Sequence, residues 1–206
     1  MVLDFNEKGL ELTIAVIILL MYNLNEHVHL RWFMPKLIPD AKKNILTAAK
    51  RLLLEYGYSG LVLRDVANLS GVALGTIYNY FPSKDMLVAS VMAEDWHKSL
   101  INMNEACKET ESIEQSVRVI YDSINEYIKI YEFVWNEYRG VTSGFGEHHL
   151  VLRNQLSDQL IEILERFGNK EDEHLCPLIA ETILDCAMQK DIPYMVLSKM
   201  IIRIFK

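Results

Sequence analysis

The chain has 206 residues, half of them hydrophobic and about a quarter charged, which is typical of a folded globular protein with a substantial core. Its net charge of −7 argues against a protein that binds nucleic acid over its whole surface. The charge is unevenly distributed: residues 34–90 carry seven Lys and Arg against four Asp and Glu, whereas residues 91–206 carry twelve against twenty. A nucleic-acid contact is therefore expected within residues 34–90.

Residues 1–38 form an N-terminal extension whose apolar run, LTIAVIILLMY at 12–22, is shorter than the ~20 residues that a membrane-spanning helix needs. The extension also lacks the basic start and the cleavage site of a signal peptide. Two interpretations stay open, namely an extra amphipathic or buried helix and a natural translation start at Met34. A membrane-associated regulator anchored by the apolar run is a further alternative, which the length of the run disfavours.

Apolar residues at helical spacing predict an all-α protein. A helix is predicted over residues 40–56, with Asp40 as its N-cap and Gly57 just beyond its end. Two short helices follow, at 63–69 and 73–81, joined by a turn at Gly71 and Val72 and ended by a proline. A helix, a glycine turn and a second short helix are typical of the helix-turn-helix that reads DNA.

Longer helices are predicted after this motif. Ser83 is the expected N-cap of the first of them. The predicted ranges are 84–108, 112–131, 132–139, 148–167, 175–190 and 193–206.

The segment GVALGTIYNYFPSKDML, residues 71–87, resembles the signature of the TetR/AcrR family of bacterial repressors. In that family a Gly-Val turn is followed by G-T-[LI]-Y-x-[YH]-F and by a lysine at the start of the fourth helix. The resemblance covers about Ile45 to Leu87 and implies a three-helix helix-turn-helix DNA-binding domain over residues 39–86. It implies a larger helical ligand-sensing and dimerisation domain over 87–206, and a homodimer that binds two half-sites of a palindromic operator.

Candidate DNA contacts lie on the two helices of this motif and just after them. The side chains of Thr76, Tyr78 and Lys84 suit phosphate oxygens, and Lys84 begins a helix whose amides favour an anion. Asn79 is the best candidate for reading a base, because its amide can pair with adenine N6 and N7. A solvated Asn79 and a core role for one tyrosine are the alternatives. The predicted set is Arg64, Leu74, Gly75, Thr76, Tyr78, Asn79, Tyr80 and Lys84.

Two positions depart from the family pattern. Val62 and Ala73 stand where family members often carry Thr and Ser, so both short helices are expected to lack a hydroxyl N-cap. Each missing cap typically costs ~1 kcal/mol of stability.

Aromatic residues are dense in the predicted fifth and sixth helices, and an apolar pocket with a few phenol and indole donors suits a planar or greasy small molecule. Plain core packing is the alternative for each residue. The candidate effector contacts are Trp96, Met103, Tyr121, Ile124, Trp135 and Tyr138.

Apolar stripes on the last two helices are candidates for a dimer interface, with burial inside the monomer as the alternative. The residues proposed for it are Ile179, Ile183, Met195, Met200 and Ile201.

Other chemistry is disfavoured by the sequence. It has no glycine-rich phosphate loop, nucleophile elbow or HExxH motif, so neither an enzyme nor a cofactor is predicted. His148 and His149 are adjacent and would point about 100° apart on a helix, so no metal site is expected there. Buried, reduced thiols in a cytoplasmic protein are predicted for Cys107, Cys176 and Cys186.

These observations predict a ligand-responsive DNA-binding transcriptional regulator. The expected mode is repression, relieved when a small hydrophobic or aromatic molecule releases the protein from its operator. A regulator of the same family that acts without a small-molecule ligand is the alternative.

Overall fold

A computed structural model describes residues 40–138, 145–188 and 192–205, without the side chains of Trp135, Asn136, Tyr138, residues 145–149 and Met188. Within these ranges the chain is all-α, as predicted, with one 3₁₀ segment at Lys170–Leu175 and no strand. The α-helices are α1 Ala41–Gly60, α2 Leu63–Ser70, α3 Leu74–Tyr80, α4 Lys84–Lys108, α5 Ile113–Tyr138, α6 Phe145–Phe167, α7 Cys176–Met188 and α8 Tyr194–Ile204. None of these helices is long and apolar enough to cross a bilayer. The predictions for residues 1–38 lie outside the described residues.

Helix α1 begins where the sequence predicted but is not capped as predicted. Asp40 is at the N-cap position, yet its φ of 64° is left-handed and its side chain makes no capping hydrogen bond. Apolar residues four apart place Ile45, Ala49 and Leu53 in the core without any exposed surface. Gly57 interrupts the helix with φ 72° and ψ −177°, and one further turn follows as far as Gly60.

The two helices of the motif follow the prediction closely, and α4 does so as well. Ser83 caps α4, because its hydroxyl accepts a hydrogen bond of 3.1 Å from the amide of Met86. The prediction of separate helices over 112–131 and 132–139 was wrong, since α5 is one helix of 26 residues. No glycine or proline lies between those two stretches, so nothing breaks the backbone hydrogen bonds there.

We call α1–α3 the head and α4–α8 the body. Helix α1 packs against α2 within the head and against α4 and α5 of the body. In the body, α4 packs on α5, α5 packs on α7 and α8, and α6 packs closely on α7. A single hydrophobic core runs from Ile45 and Leu53 in the head through Leu87 and Met92 into the body. The head is therefore joined to the body by packed side chains and not by a linker.

Candidate DNA-binding interface and effector region

The turn between α2 and α3 sets the angle between these two helices. Gly71 has φ 70° and ψ 26°, a left-handed conformation that glycine adopts without strain. The amide of Val72 donates to the carbonyl of Ala67 at 3.1 Å, which closes the end of α2. Val66 and Ile77 are fully buried where α2 meets α3. Because this packing fixes which face of α3 points into the core, it also fixes which face points to solvent.

The exposed face of α3 carries three of the eight predicted DNA contacts. Gly75, Tyr78 and Asn79 are exposed, and because they are three and four residues apart they share one side of the helix. Tyr78 leaves 49% of its surface exposed, so it is not the core aromatic that the sequence allowed. Arg64 is exposed on α2, and Thr76 is half-buried.

Two of the predicted contacts on α3 belong partly to the packing of the head. Leu74 and Tyr80 are half-buried and pack against the core. Tyr80 also lies 6.3 Å from the ring of Phe81, measured between centroids. Any contact of these two side chains with DNA is restricted to the surface that remains exposed.

The start of α4 is tied to the end of α1. The Nζ atom of Lys84 lies 4.3 Å from the centroid of the Tyr58 ring, a cation–π contact, and burial lowers the pKa of its ammonium group. The Tyr58 hydroxyl donates to Asp85, the next residue of α4. Tyr58 was not predicted, because its role depends on a contact with a residue 27 positions away. Tyr58 thereby holds Lys84 against the end of α1.

The two caps that the sequence lacks are also absent from the structure. Val62 and Ala73 occupy the N-cap positions of α2 and α3, and neither makes a side-chain capping hydrogen bond. Helices α2 and α3 thus begin with backbone amides that receive no side-chain cap.

A buried carboxylate joins the head to the body. Asp95 on α4, only 9% exposed, is 2.6 Å from Nζ of Lys50 on α1 and accepts a hydrogen bond of 2.6 Å from the Tyr131 hydroxyl on α5. Burial, reinforced by nearby Tyr127 and by the hydrogen bond to Asp95, raises the pKa of Tyr131, so the phenol stays protonated as a donor. Three helices meet at this one side chain.

A second junction surrounds Gly57. The amide of Ser59 donates to the Glu137 carboxylate at 2.6 Å, which links the end of α1 to the end of α5. A Cβ atom added at Gly57 would lie 2.5 Å from Cε1 of Phe133 and 2.9 Å from the carboxylate oxygens of Glu137. The Phe133 ring and the Glu137 carboxylate thus occupy the space that a side chain at residue 57 would need.

The predicted effector contacts fall into two groups. Trp96, Met103 and Ile124 are fully buried in the body, and the Trp96 ring packs edge-on against Tyr127 at 5.2 Å. Tyr121 lies elsewhere: it is half-buried and packs on Tyr194 of α8 at 4.9 Å. Six positions separate Tyr121 from Tyr127 on α5, a rotation of about 240°, so the two rings face different neighbours. The side chains of Trp135 and Tyr138 lie outside the described residues.

Helix α6 supplies a polar residue to the Trp96 group. Nε1 of Trp96 donates to Oε1 of Gln155 at 3.1 Å. The Tyr127 ring also lies 5.3 Å from that of Tyr131, the residue that donates to Asp95. Side chains in direct contact thus run from α6 to the junction at Asp95.

Comparison with known proteins agrees with this geometry. The family model for bacterial regulatory proteins of the tetR family matches residues 45–91. These residues are a helix-turn-helix domain of the TetR family. The matched segment contains most of α1, all of α2 and α3, and the start of α4.

Two curated proteins that are similar to part of this chain are regulators. The HTH-type transcriptional repressor KstR of Rhodococcus jostii (strain RHA1) is 39% identical over 59 residues, which cover 29% of this chain and 28% of KstR. The fatty acid metabolism regulator protein of Bacillus subtilis (strain 168) is 30% identical over 76 residues, or 37% of this chain and 39% of that protein. The alignments thus cover well under half of either relative.

A solved structure extends the likeness to the body at the level of the fold. The fatty acid degradation regulator FadR from Bacillus halodurans superposes with a TM-score of 0.50, covering 82% of this chain and 94% of that one, at 21% identity. The chain therefore shares the fold of that protein beyond the helix-turn-helix.

The residues predicted for a dimer face divide sharply by exposure. Ile179, Ile183 and Ile201 are buried within the subunit at 2% exposure or less, so a partner subunit cannot contact them directly and that part of the prediction needs correction. Their apolar stripe packs α7 and α8 onto the body. Met195 is 60% exposed and Met200 is half-buried, and four further apolar side chains on these helices, which were not among the residues proposed for the interface, are exposed as well. Those are Leu178, Val196, Ile202 and Ile204.

The thiols and the acidic groups offer no second chemistry in the described part of the chain. Cys107, Cys176 and Cys186 are free and buried, as predicted. No three His, Cys, Asp or Glu side chains among the described residues are grouped to hold a metal ion. His148 and His149 have side chains outside the description.

Replacing Asp95 by Ala is expected to lower the free energy of unfolding by about 2 kcal/mol, because the buried Tyr131 hydroxyl loses this acceptor and Lys50 loses its ion pair. Lys50→Ala is the matched control and is expected to cost less than 1 kcal/mol, since the Lys50 side chain is 42% exposed. Denaturant unfolding measures both. Equal costs for the two variants would show that the carboxylate does not anchor the junction.

Gly75→Ala is expected to separate stability from DNA binding. A Cβ atom at Gly75 would meet nothing within 4 Å, so alanine is expected to stabilise the free protein by up to about 1 kcal/mol through helix propensity. The added methyl group lies on the exposed face of α3 and is expected to weaken DNA binding at the same time. Thermal unfolding and a DNA titration of one preparation check both effects, and unchanged affinity would remove Gly75 from the interface.

Proposed function

We propose that this chain is a DNA-binding transcriptional regulator that represses its target genes and is released from a palindromic operator by a small apolar molecule. The observation that carries the proposal is the exposed face of α3, where Gly75, Tyr78 and Asn79 are presented on a helix whose other face is locked into the core. A short helix held in this way fits the major groove, and its polar residues reach base edges and phosphates.

The charges of the neighbouring residues support the same orientation. Arg64 is exposed on α2, and Lys84 is held by Tyr58 at the start of α4. Both suit phosphates on either side of the groove, which would fix the register of α3 on the duplex. The acidic body, with twenty Asp and Glu in residues 91–206, would be repelled by DNA and keep the head as the contact surface.

The effector is proposed to bind in the body between α4 and α6, beside Trp96 and Met103. Helix α4 carries Asp95, which pairs with Lys50 of the head, and Lys84, which packs on Tyr58 of the head. A ligand that favours a displaced α4 would therefore move the head and shift the population away from the DNA-binding state. The alignments to the curated relatives cover only 29% and 37% of this chain, so this part of the proposal rests on the interior of the body alone.

A homodimer is proposed as the active form, in the cytoplasm, where the DNA is. Leu178 is 66% exposed and Met195 60% exposed, and apolar side chains of this size on neighbouring helices suit a two-fold helical interface. Two heads related by such an axis would read two half-sites of a palindrome.

A band-shift titration with the DNA upstream of the protein's own gene tests the proposal. Salt-sensitive binding that a scrambled duplex does not match is the expected result. Equal retention of both duplexes at every salt concentration would count against a sequence-specific regulator.

A further inference from the structure

One buried polar group in the body has an unused hydrogen-bonding atom. Gln159 on α6 is 7% exposed, and its Oε1 has no hydrogen-bond partner among the described residues. Its Nε2 lies 4.0 Å from Sγ of Cys107 on α4, a long and weak contact. A buried amide oxygen without a donor lowers stability, so native proteins rarely keep one without a reason.

The neighbouring donors are already engaged. The Cys107 thiol donates to the carbonyl of Ser116 at 3.7 Å, and burial raises the pKa of this thiol to about 11, so it remains a neutral S–H group. Its sulfur lone pairs then face the Gln159 amide nitrogen, which leaves Oε1 pointing elsewhere. Arg166 donates to the carbonyl of Cys107 at 2.5 Å and to the Thr110 hydroxyl at 2.6 Å. No described group in this cluster is left to satisfy Gln159.

Gln159 lies on the same side of α6 as the proposed effector region. It is four residues from Gln155, so the two amides share one face, and Gln155 accepts from Trp96. Side chains bridge α4 and α6 in the contacts of Trp96 with Gln155 and of Cys107 with Gln159. Helix α6 packs closely on α7 instead. Two fully buried apolar side chains lie close to these residues in the sequence. Met103 is one turn before Cys107 on α4, and Leu156 follows Gln155 on α6.

The other buried polar atom without a partner does not belong to this face. It is Nε of Arg153, which is two positions from Gln155 and therefore about 200° away around α6. The α4–α6 interior thus offers a neutral acceptor next to aromatic and aliphatic side chains, while the Arg166 guanidinium at its end already donates to the Cys107 carbonyl and the Thr110 hydroxyl.

We infer that the α4–α6 interior binds a neutral apolar molecule through a hydroxyl or amide N–H group that donates a hydrogen bond to Oε1 of Gln159. A carboxylate or other anion is disfavoured at this position, because it would face an amide oxygen. The inference rests on the proposed function, in which the body is an effector-binding domain, and it adds the chemical class of the effector and the residue that selects it.

The test uses the full chain and two matched series of probes. Straight-chain 1-alkanols of six to twelve carbons each carry one donor, and the corresponding alkyl methyl ethers carry none. Wild-type protein is expected to bind the best alkanol about tenfold more tightly than its ether, measured by calorimetry and by the ligand-induced shift of the melting temperature.

Gln159→Met keeps the length and volume of the side chain but removes the amide. The alkanol-to-ether ratio is expected to fall to about one, with the affinity for the ether unchanged. The free variant is also expected to melt about 2–4 °C higher than wild type, because it no longer buries an unsatisfied oxygen. Gln159→Leu is a second variant that carries the same predictions if the methionine variant does not fold.

A ratio that stays near ten in both variants overturns the inference, and so does the absence of alkanol binding to the wild type. DNA binding by the same preparations distinguishes this failure from that of the proposed function. Sequence-selective binding without any alkanol preference would leave the regulator intact and remove Gln159 as its selecting residue.

Discussion

Gly57→Ala is expected to lower the free energy of unfolding by about 3 kcal/mol, which corresponds to a fall of about 6–12 °C in the melting temperature. At φ 72° and ψ −177° the residue occupies a region that only glycine adopts readily. The new Cβ atom would also lie 2.5 Å from Cε1 of Phe133, so α5 or its side chains must move. Calorimetric unfolding gives both quantities.

Gly71→Ala is the comparison at a positive-φ glycine that is uncrowded and lies in a backbone region that alanine adopts at lower cost. Gly71 also has a positive φ, 70°, but its ψ of 26° is the left-handed helical region, and a Cβ atom there meets nothing within 4 Å. Its replacement is expected to cost about 1 kcal/mol. Equal costs for the two variants would show that the contact between α1 and α5 tolerates a side chain at Gly57.

Asn79→Ala is expected to weaken binding to the operator by about 5- to 150-fold, since a well-placed amide–adenine pair is worth about 1–3 kcal/mol. The loss is expected at one base pair of each half-site, where the variant accepts other bases. Asn79 is exposed and makes no hydrogen bond among the described residues that would need replacement, so the fold is expected to remain stable. A titration of duplexes substituted at each position measures the effect.

Asn102→Ala supplies the comparison, because Asn102 is an exposed asparagine on α4, outside the proposed interface. Its affinity and base preference are expected to equal those of the wild type. If Asn79→Ala binds every duplex like the wild type, Asn79 is a solvated amide and another residue of α3 reads the base.

The helices of the head and the turn between them were predictable from the sequence, because the residues that determine them are close together in the chain. The glycine turn at Gly71, the Ser83 cap and the apolar spacing around Ile77 each act within about four residues, and each appears in the structure as predicted. Departure from the family pattern identified Val62 and Ala73 as helix starts without a side-chain cap, and neither makes a capping hydrogen bond.

The junction was not predictable, because its partners are far apart in the chain. Lys50 and Asp95 are 45 positions apart, and the hydrogen bond between Tyr131 and Asp95 spans 36. An isolated lysine or aspartate on a helix has no periodic signal. Only the packing of α1 across α4 and α5 brings these side chains together.

Apolar stripes located the core faces of α7 and α8 but could not identify a subunit surface. The strongest stripe on a helix follows the face that its own subunit buries, which is why Ile183 and Ile201 are core residues. Sequence periodicity placed Met195 in the same predicted set as these core residues, and only the folded chain separates it, 60% exposed, from them.

The most direct test of DNA reading by α3 is selection of bound sequences from a random duplex pool by the full chain. The enriched duplex and a scrambled duplex are then titrated over a range of salt concentrations. We predict convergence on two inverted half-sites, an affinity at least about 1,000-fold higher than for the scrambled duplex, and a linear fall of log K with log salt concentration. A pool that does not converge, or equal affinity for both duplexes, would contradict the proposal that α3 recognises a specific DNA sequence.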